Sequence, residues 1–161
     1  MAKPLSPSRQ DYLEVIYLLG DQGREPVSVS QVAERLNVKL PTVTRTVRAL
    51  ARGGYLRHRP RGPIEMTGDG IELAAALHHI HQDLMQWLTE VLGVPAEIAE
   101  ADASQLEHGL SPVTARRLHQ WLLMLDNMDP DQRPTLGRRE GRRQSKLFEN
   151  LPANPSAGWR A

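Results

Sequence analysis

VSVSQVAERLNVKLPTVTRTVRALARGGYLRHRPRGPIEMT, residues Val27–Thr67, is the stretch whose reading decides the fold. It reads as a short helix, a turn, a second helix rich in Arg and Thr, and two short strands around a basic Pro-Gly loop. That order is the signature of a winged helix-turn-helix, a module that docks on duplex DNA. Eight Arg and Lys residues fall from Arg35 to Arg61 with no Asp or Glu among them, whereas the whole chain carries a formal charge of only +1. The positive charge is therefore concentrated on this module.

Within the stretch, Ser30, or Ser28 with Gln31 three residues on, can cap a helix running to about Leu36. Asn37-Val38 makes the turn. Pro41 suits the first position of the next helix, which runs to about Arg52, although Lys39 and Leu40 before it are poor caps. Gly53-Gly54 stop that helix. Tyr55–Arg59 and Ile64–Met66 read as strands joined by Pro60-Arg61-Gly62-Pro63. Upstream, apolar residues at Tyr12, Leu13, Val15, Ile16, Leu18 and Leu19 mark a helix from Pro7 or Ser8 to Leu19, ended by Gly20 and Gly23. Pro26–Val29 is short and β-prone.

Downstream, Thr67 caps a long helix over about 68–92, with a stripe of Leu73, Leu77, Ile80, Leu84, Trp87, Leu88 and Val91 at spacings of three and four. Gly93-Val94-Pro95 ends it. Helices over about 95–110 and 112–126 follow. The expected fold is mainly α: a DNA-binding domain over 1–70, a helical domain over 71–126, and a mobile basic tail over 127–161 holding Arg138, Arg139, Arg142, Arg143 and Lys146.

Composition agrees. Apolar residues make up 40% of the 161, but aromatics only 4%, so the core is aliphatic and suits helices. The absence of cysteine excludes disulfides, zinc ribbons and thiol catalysis, and leaves His, Asp, Glu and oxygen donors for any metal. No run approaches the ~18 apolar residues of a membrane span, and the N-terminus has no apolar leader, so a cytoplasmic protein without membrane contact is expected.

The second helix of such a motif places its N-terminal half against base edges. Val43, Val47 and Leu50 share one face and pack inward, leaving Thr42, Thr44, Arg45 and Thr46 for the groove. Thr can touch a thymine methyl or a phosphate, and Arg can pair with guanine. Arg48 and Arg52 lie further along and suit phosphates. Arg57, Arg59 and Arg61 are placed on the wing to grip backbone or minor groove. A helix-turn-helix can instead serve protein interaction, but such modules usually lack a one-signed charge field over the second helix.

A winged helix leaves other residues unexplained. Asp11 and Glu14, at i and i+3, project from one side of the first helix. His81 sits beside the stripe of the long helix, and Glu107 and His108 are adjacent near the end of the next. Together they form a hard O/N donor set suited to Mn(II) or Fe(II). Singly, each has an ordinary reading: a solvated helix face, a partly buried core histidine, a surface helix end. Spacing alone does not bring three distant segments together. His78, three residues before His81, reads as a surface residue that could be recruited.

The segments DYLEVIYLL (11–19), VAERLNVKLPTVTRTVRAL (32–50), GYLRHRPRGPIEMTGDG (54–70), LTEVLGV (88–94) and LEHGLS (106–111) resemble the iron-dependent repressor family, that of the diphtheria toxin repressor and the manganese transport regulators. The resemblance covers about 8–126. It implies a metal-activated repressor that binds a palindromic operator as a homodimer. The metal then sits between the first helix, the long helix and the Glu-His helix, with Asp11, Glu14, His81, Glu107 and His108 as ligands. Asp11 matches the manganese branch, where the iron branch has Met. The short C-terminus leaves no room for the SH3-like domain of iron-type members. Two positions depart: Ser104 stands where the manganese branch has a bridging Glu and the iron branch a Cys, and Met85 where an accessory carboxylate is common. The Ser104 carbonyl, or Glu100 one turn earlier, can compensate.

The expected function is a Mn(II)-activated, alternatively Fe(II)-activated, repressor of metal-uptake genes. In this reading metal ties the first helix to a two-fold interface built from 95–126, with Trp121, Leu122 and Leu125, and from the long helix. A metal-independent winged-helix repressor with a degenerate sensor is the alternative. Catalysis and a small-molecule substrate are not expected: no HExxH, nucleophile elbow or phosphate loop occurs.

Overall fold

The computed structural model describes residues 5–134. Helix α1 (Pro7–Leu19) opens with proline at its first position, which suits a site whose N–H would have no helical partner. It buries Tyr12, Leu13, Ile16 and Tyr17. For α2 (Val29–Arg35) the cap is Ser28 rather than Ser30. Its hydroxyl accepts from the Gln31 amide at 3.2 Å, and its own amide donates to Gln31 Oε1 at 2.8 Å, a reciprocal box that Ser30 cannot form. The turn passes through Asn37 at φ 51°, a left-handed conformation that Asn tolerates.

Helix α3 (Leu40–Arg52) begins one residue earlier than the sequence indicates, and Lys39 gives it no side-chain cap. Its hold comes from packing. Val43, Val47 and Leu50 are fully buried at 0% exposure, each contributing about 1.5–3 kcal/mol. The wing is an antiparallel pair, β1 (Leu56–His58) and β2 (Ile64–Met66), with Leu56 opposite Met66. Strand β1 is shorter than Tyr55–Arg59 because its ends are spent elsewhere. The Tyr55 amide donates to Leu50 O and closes α3, while Arg59 O accepts from Gly62 and turns the wing tip. The β-prone segment before α2 contributes a single bridge, Val27 to Ile64, with bonds of 2.8 and 2.7 Å.

Thr67 joins wing to linker. Its hydroxyl accepts from Gly70 N at 3.1 Å and donates to Gly54 O at 2.7 Å. Helix α4 (Gly68–Gln86) then runs out of the winged-helix half. The sequence pattern carries this helix to about 92, but α geometry stops at Gln86 and a π-helical turn, Trp87–Val91, replaces it. Helices α5 (Ala96–Leu106) and α6 (Pro112–Asp126) follow, the latter capped by Ser111.

Three clusters form the core. One joins α1–α3, the wing and the start of α4. A second packs Leu84 and Leu88 on Ala99 and Ala103 of α5, and a third packs Val91 on Leu122 and Leu125 of α6. Leu122 and Leu125 are thus 2% and 6% exposed within their own chain and are not interface residues, contrary to the sequence reading. The apolar side chains that α6 does present are Val113, Leu123 and Met124.

The two-stranded wing is the sheet found among the described residues, and no helix there is long and apolar enough to cross a membrane. The basic tail residues Arg138, Arg139, Arg142, Arg143 and Lys146 lie outside the described residues.

Candidate metal centre and nucleic-acid interface

Helix α1 packs along α4, and α5 folds back against α4. The space where the three meet is an open cavity of about 770 Å³ lined by Asp11, Glu14, His78, His81, Glu100 and Ser104, with Glu107 and His108 at the end of α5. All five residues singled out from the sequence as ligands meet here. The ligand atoms of Asp11, Glu107 and His108 lie within 4.8 Å of one another. Burial is graded: Glu107 is 3% exposed, His108 10%, Glu14 14%, His81 15% and Asp11 49%.

Glu107 stands at the centre. Its Oε2 lies 2.8 Å from His81 Nδ1, and its Oε1 lies 3.4 Å from His108 Nε2. The second nitrogen of His81 reaches Glu100 at 3.3 Å. The hydrogen bond to Glu107 pushes the His81 imidazole up to about 9, against burial and with the attraction of Glu107 and Glu100 added. As imidazolium, His81 donates to both acids. Burial holds the Glu14 carboxyl above its ordinary range, and the facing Glu107 charge adds to this, while the hydrogen bond from His78 opposes it.

Four mostly buried acids and imidazoles, with the half-exposed Asp11, face one cavity and make a donor set that a divalent cation satisfies, with hard oxygens and imidazole nitrogens and no thiolate. Of the two compensating residues considered at the departure, Glu100 lines the cavity and Ser104 lines it too, its hydroxyl donating to the Glu100 main-chain carbonyl at 2.9 Å.

Two residues at the cavity have partners that the sequence does not foretell. His78 is not a surface residue: it is 26% exposed, and its Nδ1 lies 3.2 Å from Glu14 Oε1. Its place three residues before His81 was the only signal. Gln10 carried none. Its Oε1 accepts from His108 Nδ1 at 2.7 Å, which leaves Nε2 of that ring facing Asp11 and Glu107, and its amide nitrogen reaches Leu5 O at 3.4 Å. Metal-binding histidines typically have their other nitrogen fixed in this way.

The basic run divides between two surfaces. Arg35 lines the acidic cavity. Arg45, Arg48 and Arg52, at i, i+3 and i+7 of α3, line a separate concavity of about 590 Å³ with Leu40, Pro41 and Thr44. The Thr44 hydroxyl bonds back to Leu40 O at 3.0 Å, so its methyl is the group left to contact a partner. Thr42 and Thr46 stand on the neighbouring face and are partly exposed. Arg57 and Arg59 flank a pocket on the wing with Glu65, and Arg61 is exposed at the tip at φ 64°. Among the described residues none of the six arginines from Arg45 to Arg61 pairs with a carboxylate. All six are exposed, which is the condition for neutralising phosphates.

Comparison with known proteins follows the same division. The iron dependent repressor N-terminal DNA binding domain matches residues 4–63, and the iron dependent repressor metal binding and dimerisation domain matches residues 67–137. An uncharacterized HTH-type transcriptional regulator of Methanocaldococcus jannaschii is 36% identical over 114 residues, 71% of this chain and 91% of that one. The diphtheria toxin repressor of Corynebacterium glutamicum is 34% identical over 116 residues, 72% of this chain and 50% of that one. Among solved structures, a manganese-dependent transcriptional repressor in complex with manganese superposes with a TM-score of 0.63 at 31% identity, over 71% of this chain and 52% of that one. The chain therefore spans about half the length of the latter two and nine-tenths of the first.

Proposed function

The chain belongs to the iron-dependent repressor family, and from that premise we propose that it is a Mn(II)-activated repressor of metal-uptake genes which binds a palindromic operator as a homodimer. Residues 1–70 read the DNA, and 71–126 supply the two-fold contact and, with Asp11 and Glu14 of α1, hold the metal. The observation that carries this reading is the Asp11–Glu107–His108 cluster. Its members come from α1, in the DNA-binding half, and from the end of α5, in the other half, and their ligand atoms already lie within 4.8 Å.

Asp11, Glu107 and His108 would hold one cation, with Glu14 and His81 adjoining. When bound, the cation supplies the positive charge that lets these carboxylates face one another without repulsion. Asp11 and Glu14 then fix α1 to α5. Because α1 packs on α2 and α3, fixing α1 fixes the tilt of Arg45, Arg48 and Arg52. A ligand that favours the DNA-competent arrangement shifts the population towards it in proportion to its differential affinity. The carboxylate of Asp11 and the oxygen-rich set favour Mn(II), with Fe(II) as the other candidate. The exposed Val113, Leu123 and Met124 of α6, and Ile98 and Leu106 of α5, supply apolar area for the homodimer.

Fluorescence anisotropy of chelator-stripped protein with DNA from its own upstream region tests this, with and without micromolar Mn(II), and with Fe(II) under anaerobic conditions. Binding that requires metal is the expected result. Equal binding with and without metal leaves a metal-independent winged-helix repressor, the reading that the turned-back Ser104 hydroxyl favours.

A further inference from the structure

The run His78-His79-Ile80-His81-Gln82-Asp83 of α4 faces two ways. His78 and His81 line the cavity shared with α1 and α5, whereas His79 and Asp83 line a separate one, of about 570 Å³, shared with α6. His79 and Asp83 are four residues apart and so lie on one face of the helix. Across this second cavity stands His119 of α6, whose Nδ1 lies 3.1 Å from both oxygens of Asp83. The Asp83 carboxylate is only 16% exposed, whereas the His119 ring is half exposed. The rest of the lining holds no Ser, Thr or Cys. The pair therefore has no hydroxyl or thiol to activate, which excludes a hydrolytic dyad.

We propose that His79, Asp83 and His119 bind a zinc ion that fastens α6 to α4. Two ligands at i and i+4 of one helix can reach a single zinc ion, because that spacing puts both on one face. Ligands at about 2.0–2.1 Å from a tetrahedral zinc lie about 3.3 Å from each other. The 3.1 Å between His119 Nδ1 and the Asp83 oxygens is close to that edge, so the ion takes the place of the shared proton. In the metal-free chain the three donors do not yet lie within 4.8 Å of one another. His79 is the member that adjusts. It is exposed, makes no hydrogen bond or ion pair among the described residues, and only tilts against His78 with centroids 6.5 Å apart. A turn about its side-chain bonds brings it to the pair. Two imidazoles and one carboxylate, with water completing four, suit Zn(II) better than Mn(II). Gln120 adds no ligand, since its Oε1 accepts from Arg117 at 3.3 Å. Arg116 lines the same cavity and opposes the ion, and Asp83 is the one carboxylate lining it, so this ion is held less tightly than one at Glu107. The site shares no residue with the centre at Asp11 and Glu107, and it stands or falls independently of metal-activated repression.

The test is titration of the chelator-stripped full chain with Zn(II), followed by calorimetry and elemental analysis, for wild type, H79Q, H119Q and H108A. Both histidines of the site are exposed, so Gln replaces them without disturbing a core, and circular dichroism checks the fold of each variant. Wild type is expected to bind one zinc ion that H79Q and H119Q each hold at least about 10-fold more weakly, since disturbing even an outer partner of a ligand costs that much. H108A is expected to keep this ion while losing affinity at the other centre. Nitrogen–proton spectra of the rings show His79 and His119 shifting together as the ion binds. Equal zinc uptake by wild type, H79Q and H119Q overturns the proposal. An ion weakened in H119Q and not in H79Q also overturns it, because the His119–Asp83 pair then acts without His79. Loss of the same ion from H108A overturns it by assigning that zinc to the centre at Glu107.

Discussion

His108 Nε2 lies 2.7 Å from Asp11 Oδ1 across 97 residues of sequence. The pair fastens the end of α5 to the start of α1, so a contact between two side chains is also a contact between the DNA-reading half and the half that follows it. Asp11 is half exposed and His108 nearly buried. The histidine is therefore the fixed member, and the aspartate arrives with α1. H108A is expected to weaken metal by at least about 10-fold and to leave DNA affinity the same with and without Mn(II), measured by anisotropy. A variant that still responds to metal as wild type does rules His108 out as a ligand.

Gln10 touches the ring of His108 but faces away from the cluster, so its effect passes through that ring. Q10A is expected to lower metal affinity by about 10-fold while leaving the thermal unfolding of the stripped protein nearly unchanged. Nitrogen chemical shifts of the His108 ring report the cause, as a mixture of tautomers in place of one. A single unaltered tautomer in Q10A means that the ring is oriented by other contacts.

The pH dependence of the metal-free protein has a definite sign. His81 has a folded value of about 9 against an ordinary 6.5, and Glu14 is raised from 4.5. A raised folded value gives stability that is complete below the ordinary value and disappears as pH rises through the folded one. For His81 the window is therefore pH 6.5 to about 9. The urea midpoint of stripped protein is expected to fall across that window and to fall much less in H81Q. Metal needs the neutral ring, so binding at pH 7 releases a proton, detectable by titration in buffers of different ionisation enthalpy.

On the DNA face, the arginines divide by task. Arg45 lies in the N-terminal half of α3. R45A is expected to cost about 1–3 kcal/mol and to relax preference at one operator base pair. Arg59 lies on the wing, where R59A weakens binding about equally for all sequences and reduces the salt slope by about 0.9. A uniform loss in both variants means that α3 reads no base through Arg45.

Gly70 lies against the Tyr55 main-chain carbonyl, and a Cβ there would collide with backbone rather than with a movable side chain. G70A is expected to destabilise by about 1–3 kcal/mol and to push the wing away from α4. Calorimetry and DNA affinity measured together register both. Unchanged stability shows that the wing shifts freely.

The winged helix was legible because its signals are local: apolar spacing in α3, a Gly-Gly stop, a basic Pro-Gly loop. The five candidate ligands were legible only through family resemblance. Asp11, His81 and His108 carry no local mark that they converge, and their approach depends on how α1 and α5 pack on α4. Gln10 was hidden, and His78 read as a surface residue, for the same reason, since each has its partner 98 or 64 residues away. Leu122 and Leu125 were misassigned because a periodic apolar stripe does not say whether its partner is the same chain or another. The end of α4 was misplaced because apolar spacing persists through the π-helical turn, and only the backbone bonds change.

That turn divides the labour of the second half of the chain. Leu88 and Val91 lie in one widened turn, yet Leu88 packs with α5 and Val91 with α6. The helix that carries Glu107 and His108 is seated in one small core, and the helix with the exposed Val113, Leu123 and Met124 in another. Trp87–Val91 is thus an articulation between two seatings. Trp87, Leu92 and Leu118 pack against both cores, so the two seatings share a wall, and a packing change at that wall reaches α5 and α6 together.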